Sequence, residues 1–247
     1  MLTEANVRRL IAAVAVALLI ALPAFGASEF RLEEAGNDVS NIASLQRGAR
    51  NFVNFCMGCH SAQYVRYNRL AEDLGISDDQ MIDNLMFAAE KPQETMTIAM
   101  PESDAQRWFG QAPPDLSLVA RSRGTDYLYT FLRTFYLEEG SPTGVNNLVL
   151  ANASMPHVLW ELQGEQRLVE ETDEAGHKVQ RLELVRPGRM SPEEYDQFVK
   201  DLVNFLDYVG EPMQLERIRL GGWVIAFLLV FGLFAYLLKV EIWKDIK

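Results

Sequence analysis

The sequence predicts a mainly α protein with long loops and a small β-hairpin, closed by one transmembrane helix at the C-terminus. Three observations predict it. Helix-capping signatures precede apolar residues at helical spacing. An apolar-rich stretch flanks a Gly-containing turn, as in a hairpin. The run Leu220 to Leu238 holds no charged residue, so as a helix it is apolar all round and suited to lipid. At 247 residues, the chain has room for one sizeable domain and additions at its ends. Its formal net charge of -11 excludes nucleic-acid binding as a function class, because that needs a basic face.

The elements follow in chain order. Arg8 and Arg9 precede an apolar run from Leu10 to Leu22, then the small residues Ala24 and Gly26. This order is that of a secretory signal peptide over residues 1–26, cleaved after Gly26; an uncleaved anchor is the rival. Residues 27–216 form the exported domain. A first helix is expected from Val39 to Phe55. Ser77 to Gln80 is a capping box that opens a second, through Met81, Ile82, Leu85, Met86 and Ala89. A third is expected over Thr125 to Tyr136. Ser191 to Glu194 is another capping box, with Pro192 at the first helical position, leading a helix that Gly210 and Pro212 stop. The stretch from Arg167 to Val185, around Asp173 to Gly176, reads as the hairpin. Pro and Gly clusters at 110–114 and 140–144 read as loops. Residues 217–239 are the anchor, with Trp223, Tyr236 and Trp243 near its ends. Residues 240–247 are a short cytoplasmic tail.

Both cysteines fall in one motif, Cys56-Met-Gly-Cys-His60, the C-x-x-C-H pattern of covalent haem attachment. On a helical turn, positions i and i+3 share a face. Two thiols there can add to the vinyl groups along one porphyrin edge, and His60 then reaches the iron. Aromatic residues Phe52 and Phe55 precede the motif, as a buried porphyrin edge requires. A Cys56–Cys59 disulfide, a redox pair or a partial metal site are the bland alternatives. For the second axial position, Met100 and Met155 both sit in Met-Pro loop sequence, with Met155 favoured by its apolar surroundings; His157 is the remaining histidine candidate. Met81, Met86 and Met190 read as packing residues.

The chain resembles the cytochrome c1 family, the haem subunit of ubiquinol–cytochrome c reductase (the cytochrome bc1 complex). The matching residues run in order through most of the mature chain: Arg47-Gly48, His60-Ser61, Tyr64-Val65, Pro113-Pro114-Asp115-Leu116-Ser117, Arg121-x-Arg123-Gly124, Asp126-Tyr127, Pro142 to Val145 and Met155-Pro156. The segment Gln106 to Ala112 departs from the family's Gly- and Asn-rich pattern, and the stretch between Arg123 and Tyr127 is shortened. The resemblance implies a class I c-type cytochrome-like domain with one covalent haem c, bound by Cys56 and Cys59. It implies His60 and Met155 as the iron ligands and Arg123 as the partner of a haem propionate, with Arg121 as the alternative. Pro114 and Tyr127 would lie near the haem. It further implies single-electron transfer from the Rieske iron–sulfur protein to a cytochrome c, alongside cytochrome b. The setting would be a bacterial inner membrane, crossed once, with the haem domain in the periplasm. The acidic clusters Glu138-Glu139 and Glu170 to Glu174 are either solvated surface or a docking field for a basic partner.

Overall fold

The structure, a computed structural model, describes residues 31–172 and 178–244. The expected signal peptide over residues 1–26 and the expected turn around Asp173 to Gly176 lie outside the described residues, as does His177. In chain order the elements are α1 (Ile42–Phe55), β1 (Ala62–Arg66), α2 (Tyr67–Leu74), α3 (Asp78–Asn84), β2 (Thr95–Met96), α4 (Glu102–Phe109), α5 (Val119–Arg123) and α6 (Thr125–Arg133). Then come β3 (Phe135–Leu137), β4 (Val145–Asn147), α7 (Trp160–Gln163), β5 (Gly164–Thr172), β6 (Lys178–Pro187), α8 (Pro192–Gly210) and α9 (Gln214–Ile242). Among the described residues the strands form antiparallel pairs: β1 with β2, β3 with β4, and β5 with β6.

The core is a crossing of α1 on α8. The Asn41 side chain caps α1 by accepting from the Ser44 amide. Asp38 and Ser40 form a turn ahead of it, so the helix starts later than Val39. At α8 the Ser191 and Glu194 capping box and Pro192 stand as the sequence predicts. The two helices touch at Gly48: a Cβ there would lie 2.1 Å from the Asp201 carbonyl oxygen and 2.6 Å from Phe205 Cβ. Only glycine permits that approach. Beside it, Phe52 packs on Phe205 with centroids 5.5 Å apart. Asp201 is buried in the same seam, where a lone charge would be costly. It accepts from Arg47 Nε at 2.6 Å and from Ser44 Oγ at 2.6 Å, and so is paired.

Two helices end earlier than expected. α3 stops at Asn84 rather than Ala89, because the Met81 carbonyl accepts from both Leu85 and Met86 and closes the last turn. α6 stops at Arg133, and Phe135 to Leu137 leave it to pair with Val145 to Asn147. Aromatic residues favour such a strand. The loop expected at 140–144 joins the two strands. The β5–β6 hairpin runs from Gly164 to Pro187 and exceeds the expected span. α9 is 29 residues long with no buried residue. At 1.5 Å per residue it reaches about 44 Å, more than the ~30 Å hydrocarbon core of a bilayer. It is long and apolar enough to cross a membrane.

Candidate functional site

α1 delivers the Cys56–His60 motif at its C-terminal end. Past Phe55 the chain makes one further turn: the Cys56 carbonyl accepts from the Cys59 amide at 3.0 Å and from the His60 amide at 2.9 Å. Both thiols are free and border a single cleft. His60, Pro114 and Met155 border it as well. The lining is mostly apolar, with Phe55, Phe109, Pro113, Pro156 and Val158 completing it. Residues separated by about a hundred positions in sequence thus meet around one space.

The electrostatics favour the neutral imidazole at His60. Burial pushes its pKa below the ordinary value; the hydrogen bond to Pro114 and the charge of Asp115 act against that push. The Pro114 carbonyl oxygen lies 2.7 Å from Nδ1, so Nδ1 carries the proton and donates it, leaving Nε2 with a free lone pair. Burial and the neighbouring Cys59 push the Cys56 thiol up to about 12. A redox or nucleophilic cysteine needs the opposite, a stabilised thiolate. Among the described residues, no group of three or more His, Cys, Asp or Glu side chains gathers to complete a metal cage.

The other sequence candidates lie elsewhere. Met100 does not border the cleft. His157 is 7% exposed and its ring stacks on Phe135 at 5.0 Å. Burial holds its pKa down to about 4, and it opens on a separate groove beside Tyr136 and Trp160. Arg123 lies in the last turn of α5 with its guanidinium 5.3 Å from the Tyr127 ring centroid. Tyr127 in turn stacks on Phe131 at 6.2 Å. Neither Arg123 nor Tyr127 borders the cleft. Arg121 is bound to Glu211 at the end of α8. Met81 is fully buried in the core, and Met86 and Met190 pack against it.

Phe109 and Gln111 were not anticipated as lining residues. They come from the segment Gln106 to Ala112, which carries no motif of its own. Ser154, Pro156 and Val158 follow from the course of the loop around Met155. The only signal in the sequence was its apolar character.

A long apolar cleft with a neutral imidazole, a thioether and two thiols on its border fits a porphyrin with axial nitrogen and sulfur donors. That points to a class, a haem protein whose last helix is long and apolar enough to cross a membrane. The comparisons with known proteins narrow the class. The Cytochrome C1 family model matches residues 37–246. Cytochrome c1 of Allochromatium vinosum is 51% identical, covering 92% of this chain and 93% of that one. The ammonia monooxygenase gamma subunit of Nitrosomonas europaea is 46% identical over 88% of this chain and 90% of its own. Cytochrome c1 of Rhodospirillum rubrum is 28% identical, with 82% of each chain covered. The chain belongs to the cytochrome c1 family, whose members carry haem c and serve as the electron-transfer subunit of the bc1 complex beside cytochrome b and the Rieske protein.

Proposed function

We propose that this chain relays single electrons from the Rieske iron–sulfur protein to a cytochrome c, through one haem attached by thioethers to Cys56 and Cys59. The observation that carries the reading is the convergence of Cys56, Cys59, His60 and Met155 on one apolar cleft. When bound, haem c supplies a one-electron iron couple. The chain's residues do the rest. His60, through Nε2, and Met155, through its sulfur, would hold the iron, and a Met donor would favour a high reduction potential. Phe55, Phe109 and Val158 line the cleft with apolar surface, which a bound porphyrin would cover. Pro114 orients His60 through its carbonyl. Arg123, which has no ion-pair partner among the described residues, is the guanidinium available to a propionate; Tyr127 supports it from below.

Residues 1–26 direct export, 27–216 form the periplasmic domain, 217–239 the anchor in the bacterial inner membrane, and 240–247 the cytoplasmic tail. Export of the N-terminal side supports this orientation; the basic residues flanking the anchor favour it weakly. One relative bears the name of an ammonia monooxygenase subunit. Oxygenation at the iron needs an open coordination position, and Met155 beside the cleft argues against one here.

The test is gentle detergent purification from membranes. Expected are co-purification with cytochrome b and the Rieske protein, a low-spin reduced-minus-oxidised spectrum, and haem that stays with the polypeptide after acid and solvent denaturation. His60→Ala should abolish the low-spin spectrum and the turnover of the complex. Haem extracted freely from the wild-type chain would overturn covalent attachment.

A further inference from the structure

Four hydrogen bonds tie the haem motif and the strand after it to the loop that carries Pro114, and a fifth lies within that loop. His60 Nδ1–H donates to the Pro114 carbonyl at 2.7 Å. The Leu116 amide donates to the Ser61 carbonyl at 2.8 Å. The Gln63 amide donates to Asp115 Oδ2 at 2.9 Å, and the Ser117 amide to Asp115 Oδ1 at 2.9 Å. The Tyr64 amide donates to Ser117 Oγ at 3.1 Å. Asp115 supplies the only charged group among them, and its two oxygens accept one amide from each segment. Charge-assisted bonds of this kind are roughly twice as strong as neutral ones.

We propose that Asp115 is a positioning residue: its carboxylate fixes the peptide that presents the Pro114 carbonyl to His60, and through that bond it tunes the haem iron. The geometry gives the route. The Pro114 carbonyl is set on one side by the proline ring, which locks φ. On the other side it is joined to Asp115, whose two oxygens are held on backbone amides of both segments. The carbonyl therefore cannot turn away from Nδ1. A firm acceptor on that proton fixes the tautomer and ring plane and makes Nε2 a stronger donor. A stronger donor stabilises oxidised iron. Asp115 thus holds the reduction potential lower than the Met and His ligands alone would set it. Nothing in this route requires Asp115 to touch the haem. The role rests on the reading of His60 as an iron ligand.

The test uses the full chain in the purified complex, with Asp115→Asn and Asp115→Glu. Asparagine has one accepting oxygen, so one of the two amides loses its partner. Glutamate keeps the charge, but its longer arm cannot span the same two amides. Both variants should shift the equilibrium toward the reduced form, about ten-fold for Asp115→Asn at fixed ambient potential, equivalent to about 59 mV for one electron. Both should also move the EPR g-values of the ferric low-spin haem, which report the axial ligand field, and speed hydrogen exchange of the peptides holding Gln63 and Ser117. A potential shift in Asp115→Asn alone, with unchanged g-values and a wild-type Asp115→Glu, would reduce the effect to charge and overturn the role. So would two wild-type-like variants. If neither variant matures, wild-type exchange decides it: protection of both amides supports the brace, and exchange at loop rates overturns it. Failure of the underlying ligand reading is seen separately, as a wild-type chain with no low-spin signal.

Discussion

The cleft is bordered by two segments built on different principles. The segment bearing His60 grows from α1, which is locked into α8 by a glycine contact, an aromatic pair and an ion pair onto the buried Asp201. The segment bearing Met155 is irregular chain between β4 and α7. Two buried asparagines organise it. Asn147 accepts from the Val149 and Leu150 amides at 2.9 and 3.2 Å and donates to the Phe131 carbonyl at 2.7 Å. Asn146 accepts from the Asn152 amide at 2.8 Å, and Asn152 itself has φ of 60°. One segment draws its order from a core of many contacts. The other draws it from a few side-chain hydrogen bonds, each without a substitute. The first should respond to substitution through global stability, the second through local control of the ligand.

The most forceful way to break this comparison is Met155→Leu. If Met155 is the sulfur donor, the potential should fall by on the order of 100 mV or more, out of the ~0.8 V that axial ligation spans. Carbon monoxide should then bind the reduced protein readily, while the thermal stability of the domain changes little. Redox titration and a carbon monoxide difference spectrum measure it. An unchanged potential would remove Met155 from the iron and leave the loop without the role assigned to it.

Gly48→Val probes the other segment. The added Cβ would meet backbone at 2.1 Å, which no rotamer relieves. Overpacking costs about 1–3 kcal/mol, and backbone as the obstacle puts this case at about 3 kcal/mol. For a domain of this size that lowers the melting temperature by roughly 10 °C. The potential of the surviving haem protein should stay close to wild type. A large potential shift with intact stability would reverse the contrast between the segments.

These two sites also differ in how far the sequence revealed them. The helix ends at Ser77 and Ser191 were legible because capping is local chemistry, read within four residues. The C-x-x-C-H turn was legible for the same reason. Gly48 was visible only as a glycine inside a helical run, since the close approach that demands it depends on Asp201, far away in sequence. The pairing of Phe135 to Leu137 with Val145 to Asn147 was missed because an aromatic run after a helix reads equally well as more helix. Phe109, at the end of α4, and Gln111, just past it, reach the cleft through the placement of that short helix, which no periodicity encodes. His157 was open as a ligand on residue type alone; its stacking on Phe135 is a tertiary fact.

Asn147→Ala sharpens the comparison on the Met155 side. The residue is 2% exposed, so its removal orphans the buried Phe131 carbonyl, at about 1–3 kcal/mol, and frees the part-buried Val149 and Leu150 amides, which water can relieve. A net loss of about 2 kcal/mol is expected. The telling readout is local: carbon monoxide should bind faster than in wild type although Met155 is intact. Chemical denaturation gives the first quantity and flash photolysis the second. Loss of stability with wild-type binding would show that the loop does not depend on this side chain.

The smallest effect should come from Ser117→Ala, on the His60 side. Ser117 is fully buried, yet its hydroxyl serves one amide, that of Tyr64, at 3.1 Å. Losing that bond costs about 1 kcal/mol. The neighbouring bonds from Leu116 to Ser61 and from Gln63 to Asp115 keep the two segments in register, so the His60–Pro114 contact should persist. The measurement is a redox titration beside a thermal melt, with an unchanged potential and a slightly lower melting temperature as the expected pair. The two substitutions each remove a buried hydrogen-bonding side chain and differ in what stands behind it. Around Ser117 other bonds bridge the same two segments, and around Asn147 one side chain holds the turn. A potential as sensitive to Ser117 as ligand binding is to Asn147 would mean that redundancy does not protect the His60 side, and that its stiffness comes from the helix core alone.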